Sequence, residues 1–206
     1  MTGKIKLNAA SGGGSVSFQA PSSTGDDRVI TLPTTADGTV LTTTNPKSGS
    51  IIQLQSVTKT DTQSIAESAG TTDISGLSIT ITPASSSSKF YITGKVQVSM
   101  QYASSGHIQI DVNGTDVGKA DAASSRPVSH TGIGYPATTG YSQYSSIPVA
   151  VDFLVNATDG NAHTIKLQGV EVSSGKTLWI NRVQTDNDAI SGPRYVSTLT
   201  VMEVAG

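Results

Sequence analysis

The 206-residue chain contains no cysteine, so no disulfide can brace any part of it. That composition fits assembly in a reducing cytoplasm. Charged residues make up only 14% of the sequence and the formal net charge is -2, with no long basic run. Nucleic-acid binding requires Lys and Arg gathered against phosphates, so it is excluded as an expectation. Aromatic residues are equally sparse, at 5%. No stretch approaches the roughly 18 consecutive apolar residues of a membrane helix, and Met1-Thr-Gly-Lys-Ile-Lys carries no apolar signal region. Neither membrane insertion nor signal-directed export is expected. Helical periodicity is also nearly missing: the best helix candidate, Gln63–Ala69, is short and flanked by Thr and Gly.

Chemistry is missing in the same way. His107, His130 and His163 stand far apart, without the His-x-His or Glu-x-x-His spacing of a zinc site, and read as surface residues. No Gly-x-Ser-x-Gly elbow occurs, and among 15 acidic residues nothing marks out a facing carboxylate pair. Asp186-Asn187-Asp188 has too few ligands at fixed spacing for calcium and reads as a turn. Asp26-Asp27-Arg28 reads likewise. Gly12-Gly13-Gly14 is a turn, since a phosphate loop would need a following helix. The expectation is a protein without catalytic residues, cofactor or metal.

What is present is hydroxyl and alternation. Ser and Thr supply about a quarter of the chain, well above ordinary usage. Apolar and polar residues alternate in one segment after another. Phe90, Ile92, Gly94, Val96, Val98 and Met100 share one face of a long strand, against Tyr91, Thr93, Lys95, Gln97 and Ser99. Ile108, Ile110 and Val112 lead into Asn113-Gly114, a two-residue hairpin turn. Val149, Val151, Phe153 and Val155 form another face, as do Ile165 and Leu167. In Tyr195–Val204 apolar residues fall on both faces, as in a strand buried on both sides. Eight to ten strands over residues 49–206 predict a β-sandwich or jelly roll with a core large enough to fold.

Residues 1–48 differ. Strands are expected at Lys4–Asn8, Ser15–Ala20, Arg28–Leu32 and Thr39–Leu41, but the large apolar residues are only Ile5, Leu7, Val16, Phe18, Val29, Ile30, Leu32, Val40 and Leu41. A segment this short and this poor in apolar side chains needs disulfides, metal or oligomerisation to hold it. With the first two missing, oligomerisation remains, and Val16, Phe18, Val29, Ile30, Leu32 and Val40 are the candidate assembly residues. The joint lies near Thr42–Gly49, where Asn45-Pro46 restricts the path.

The segment Val16-Ser-Phe-Gln-Ala-Pro, then Arg28-Val-Ile-Thr-Leu-Pro and Asp37-Gly-Thr-Val-Leu-Thr, resembles a short module near the start of tail-fibre and other virion proteins of marine and cyanobacterial bacteriophages. The remainder resembles phage virion proteins through Gly49-Ser-Ile-Ile-Gln-Leu, Lys59-Thr-Asp-Thr, Ile74-Ser-Gly-Leu-Ser-Ile-Thr-Ile-Thr-Pro, Ser88-Lys89, Trp179-Ile-Asn-Arg and Ser197-Thr-Leu-Thr-Val-Met-Glu-Val. The layout is similar to trimeric jelly rolls of the tumour-necrosis-factor type. The resemblance implies an all-β, non-enzymatic virion structural protein, a small N-terminal attachment module before a jelly roll in an intertwined homotrimer. It also implies assembly in the host cytoplasm, release by lysis, and contact with other virion proteins of tail or capsid. A short tail fibre docked through its N-terminus and presenting loops to a host surface is the first reading. A capsid decoration or head fibre is the second, and a host-polysaccharide depolymerase the third.

The candidate ligand loop is Asp121–Ile147, long for a connection, with Arg126, His130, Tyr135, Tyr141, Gln143 and Tyr144 set among Gly, Ser and Thr. The first reading of these tyrosines is packing between subunits of the trimer or cover over the sandwich end; the second is contact with a ligand, and because tyrosine faces stack on sugar rings that ligand would be a host surface glycan. Trp179, the only Trp, is expected opposite Leu178 and Ile180, packed in the core or at a subunit contact, with partial exposure the alternative. Arg182 and Arg194 are expected to pair with Asp186 and Asp188.

Overall fold

The computed structural model describes residues 4–19, 25, 46–134 and 143–206. It divides into two compact units, Met1–Val40 and Leu41–Gly206. In the first, β1 (Lys4–Asn8) and β2 (Ser15–Gln19) form an antiparallel hairpin in which Ile5 pairs with Phe18 and Leu7 with Val16. Gly12 and Gly13 make the turn with φ of 83° and 70°. The period-two alternation puts all four apolar residues on one face. The strands expected at Arg28–Leu32 and Thr39–Leu41, with Val29, Ile30, Leu32 and Val40, lie outside the described residues.

The second unit is all β. Its strands are β3 (Ile51–Lys59), β4 (Gln63–Ala66), β5 (Thr72–Ile81), β6 (Lys89–Met100), β7 (Ser105–Val112), β8 (Thr115–Val117), β9 (Thr131–Gly134), β10 (Ile147–Asn156), β11 (His163–Glu171), β12 (Thr177–Ile180) and β13 (Ser197–Val204). The segment Gln63–Ala69 is β4 followed by a single 3-10 turn at Glu67–Ala69. Every named strand pair is antiparallel. Eight strands, in the orders β3-β13-β6-β10 and β5-β11-β7-β9, make the two sheets of a jelly roll. The short β4 and β12 continue the lines of β3 and β13, and β8 is the return arm of the Asn113-Gly114 hairpin, whose two residues have φ of 53° and 83°.

The core lies between the sheets. Phe90, Ile92, Val96, Val98 and Met100 of β6 meet Ile108 and Ile110 of β7, Ile165 and Leu167 of β11, Val149 and Val151 of β10, and Leu199 and Val201 of β13. Gly94 interrupts the apolar face of β6 for a steric reason: a Cβ there would lie 2.4 Å from the Thr198 carbonyl oxygen of the paired β13. Of the C-terminal strand, the Ser197, Leu199, Val201 and Glu203 face is fully buried and the Thr198, Thr200, Met202 and Val204 face half-buried.

Side chains close the open edges of the sandwich. Gln63 on β4 donates to the Asp73 carbonyl at 2.9 Å and accepts from Ser75 N–H at 2.9 Å, so its amide acts as one more strand residue beside β5. On the other side His130 accepts from the Asp152 N–H of edge strand β10 at 3.2 Å and donates from Nδ1 to the Gly118 carbonyl at 3.1 Å, with its ring edge-on to Phe153. An unpaired strand edge invites foreign pairing, and His130 occupies one of its donors. Changing His130 to Ala removes both bonds and the ring contact. The expected loss is about 2 kcal/mol, read as a lower urea midpoint at unchanged slope.

His163 departs from the surface reading. It is fully buried, donating from Nδ1 to the Asn161 carbonyl at 2.8 Å and accepting at Nε2 from Thr158 N–H at 3.2 Å, with its ring against Phe90. The turn before β11 leaves a backbone donor that needs an acceptor, and the imidazole supplies it. His107 and His130 are half-buried rather than freely exposed.

Candidate functional site

β12 and β13 follow one line in the sheet but are separated by an excursion over residues 181–196. The break is matched on the neighbouring line, where residues 60–62 separate β3 from β4. Asn181 joins the two breaks. It is fully buried at φ 60°, and its Nδ2 donates to the Lys59 carbonyl at 2.8 Å and the Asp61 carbonyl at 3.0 Å. Its Oδ1 accepts from Ser197 Oγ at 2.6 Å. Its backbone N–H donates to Gln97 and its carbonyl accepts from Tyr195 N–H, closing the neck of the excursion. Lys59 adds a second clamp: its buried ammonium donates to Asp61 at 2.9 Å and to Ser75 Oγ at 2.8 Å, which holds the Asp61 carboxyl below its usual range.

Past the neck, Arg182 and Arg194 face each other as an isolated bridge. Two cations directly opposed across a strand pair repel. Asp186 resolves this by accepting from Arg182 at 2.5 Å with one carboxylate oxygen and from Arg194 at 2.6 Å with the other. The expected pairing of both arginines is therefore met by Asp186, whereas Asp188 lines a hollow of about 340 Å³ within the excursion. The Arg182 guanidinium also lies 5.5 Å from the Trp179 ring centre. Trp179 is accordingly covered, at 8% exposure, so that of its two expected placements it takes the packed one and not the partly exposed one. The excursion supplies a lid that alternation cannot reveal.

Beside the excursion runs a groove of about 420 Å³ lined by Thr60, Lys95, Gln97, Arg194, Tyr195 and Val196. Its floor is the outer face of β6, where Lys95 and Gln97 are two residues apart, and its wall is the returning limb of the excursion. Arg194 belongs to both hollows.

The residues singled out in Asp121–Ile147 divide between two places. Arg126 sits exposed at a turn closed by its N–H on the Ala123 carbonyl, and His130 seals the sandwich edge. Gln143 lies against the excursion, its carbonyl accepting from Thr185 N–H at 3.2 Å. Tyr144 is 36% exposed, and the following Ser145 and Ser146 are tied to Ser99 and Gln97 of β6. Tyr135 and Tyr141 lie outside the described residues. Arg126 and His130 precede β9, whereas Gln143 and Tyr144 stand just before β10, which belongs to the other sheet.

No protein-family model matches the chain, and no curated protein matches it. Solved structures do. The VP2 subviral particle of infectious bursal disease virus aligns with 93% of this chain and 48% of its own at 16% identity and a TM-score of 0.40. The Gx strain of the same virus aligns with 92% of this chain at 15% identity and a TM-score of 0.39. The chain spans less than half the length of either structure.

Another polar cluster sits where β6 turns into β7. The buried Glu171 accepts from Ser173 N–H at 2.9 Å with one oxygen, while its other oxygen has no hydrogen-bond partner among the described residues. Nearby His107 contacts Ser129 Oγ at 3.0 Å through Nδ1. Burial pushes the His107 imidazole below its ordinary value of 6.5, against the opposing pull of the Glu171 charge. The unfolded chain then takes up a proton that the folded one resists. Stability should fall as pH drops below about 6.5 and level off beneath the folded value. Urea midpoints between pH 7.5 and 5 should decline more steeply for the native chain than for His107→Gln.

Among the described residues, no group of His, Asp and Glu is arranged to hold a metal ion. No described helix is long and apolar enough to cross a membrane.

Proposed function

We propose that the chain is a non-enzymatic virion structural protein, a short homotrimeric fibre that docks to the particle through its N-terminal unit and presents the jelly roll outward. The observation that carries this is the β1–β2 hairpin. Its face exposes Ile5, Leu7, Val16 and Phe18 at 64%, 56%, 65% and 49%. Among the described residues this hairpin has no third strand, and two strands by themselves are at best marginal in water, so sister copies complete it. The sequence resemblance to phage fibre modules supports the same reading. A further row, Leu54, Met202, Tyr91 and Leu154, runs straight across the outer face of the β3-β13-β6-β10 sheet, with Leu54 and Leu154 about half exposed, and favours contact with neighbouring protein there.

The test is deletion of residues 1–40. The full chain should sediment as a trimer and enter particles. The truncated chain should sediment as a monomer, keep the jelly-roll melting transition and fail to enter particles. A monomeric full chain, or a truncated chain that still assembles, refutes the reading. Copy number separates fibre from decoration: a decoration occurs in many copies on the head, and its loss weakens the head while adsorption survives. Release of new reducing ends from host glycan would instead mark a depolymerase.

A further inference from the structure

We infer that the groove between β6 and the excursion binds an anionic saccharide, taking a sugar carboxylate on Lys95 and Arg194 and a sugar ring on Tyr195. The inference rests on the reading of the sandwich as a surface-presenting module and names the ligand class of one of its sites.

In a chain with only 14% charged residues, two cations converge on one concavity with an aromatic ring between strand and loop. Lys95 is exposed and makes no ion pair among the described residues. Arg194 gives one terminal nitrogen to Asp186 and keeps the rest of its guanidinium available, with the side chain 53% exposed. That bond has a second effect. Arg194 is already held in place, so capturing an anion costs less side-chain entropy than it would at a loose arginine. Counting Arg182, Arg194 and Lys95 against Asp186 and Asp188, the neighbourhood is cationic on a chain of net charge -2.

The remaining lining fits a sugar better than a bare anion. Tyr195 is half-buried and lines the groove, and its backbone N–H is anchored to the Asn181 carbonyl, so an amphipathic side chain is carried at a defined place on the wall. Gln97 commits its Nε2 to Ser146 Oγ, which leaves its amide oxygen to accept from a hydroxyl, and Thr60 supplies a hydroxyl across the groove. The volume of about 420 Å³ falls within the usual range of small-ligand sites, about 300–1,000 Å³. A phosphate ion would use the cations and leave Tyr195, Gln97 and Thr60 idle.

The test is calorimetric titration of the full chain with trigalacturonate, maltotriose and inorganic phosphate, with Lys95→Glu, Tyr195→Ala and Tyr195→Phe beside the native protein. Trigalacturonate should bind saturably and more weakly as salt rises. Lys95→Glu and Tyr195→Ala should each weaken it at least tenfold with unchanged melting temperature, Tyr195→Phe should keep it, and maltotriose should not bind. Equal binding of maltotriose, phosphate binding as tight as trigalacturonate, insensitivity to Tyr195→Ala, or no binding at millimolar ligand would each overturn the inference. Lys95→Glu should still trimerise and enter particles, so loss of glycan binding is separable from failure of the structural reading.

Discussion

Replacing Asn181 with alanine is expected to lower stability by about 4 kcal/mol, a large share of what a domain of this size has to lose. Three side-chain hydrogen bonds disappear, two of them buried and one part-buried, and the Lys59 carbonyl loses a donor that water cannot easily replace. Alanine must also adopt φ near 60°, which asparagine tolerates better. Asn181→Gly separates these causes. It relieves the backbone and leaves the polar loss, so it should recover about 1 kcal/mol over alanine. Urea unfolding of the three proteins measures both differences. The alanine variant should also loosen the neck of the excursion and so displace Arg194 and Tyr195 from the groove. An alanine variant within 1 kcal/mol of the native chain, on the order of a single ordinary hydrogen bond, would show that the amide is not what joins the two strand breaks.

Glu203→Ala should cost as much, about 3–5 kcal/mol, from the core face of β13. The Glu203 side chain is fully buried and accepts from Gln53 Nε2 at 2.6 Å, Ser88 Oγ at 2.6 Å and the Ala84 N–H at 2.7 Å. Among the described residues no cation lies within 4 Å, so three neutral donors stabilise the carboxylate. Alanine orphans all of them and unfastens the loop between β5 and β6. Glu203→Gln keeps the shape but turns an N–H toward donors, and should fall between, near about 2 kcal/mol. Melting temperatures of the three proteins give the order native, Gln, Ala. A glutamine variant as unstable as alanine would mean that packing volume, not hydrogen bonding, is what Glu203 contributes.

The jelly roll was largely written in alternation. The Phe90–Met100 and Val149–Val155 faces, the Asn113-Gly114 turn and the buried Leu199 and Val201 face of the last strand all follow from period two and turn chemistry. The polar interior was not. Lys59, Asn181 and Glu203 interrupt or end their strands as ordinary polar residues would, and only three-dimensional pairing shows that Asn181 and Glu203 satisfy backbone groups from distant segments while Lys59 bonds the side chains of Asp61 and Ser75. His163 misled for the same reason: a buried imidazole looks like an exposed one until the turn it serves is visible. At the candidate site, the tyrosine-rich loop drew the eye through composition. Lys95 and Gln97 sat in plain view on the polar face of the longest strand. Nothing local indicated that residues 181–196 would fold back beside them, although Asn181 and Arg182 belong to the Trp179-Ile-Asn-Arg string already singled out.

The placement of β13 between β3 and β6 has a consequence for how the molecule is made. The strand that completes the middle of its sheet is translated after both of its neighbours, β3 and β6. While it is still inside the ribosome, β3 has no partner and the inner face of β6 lacks Leu199 and Val201. A nascent chain in that condition shows open edges and bare apolar surface to every other nascent chain nearby. Premature termination before residue 197 would therefore yield aggregates instead of a smaller working protein, and chaperone capture should be strongest just before the final strand emerges.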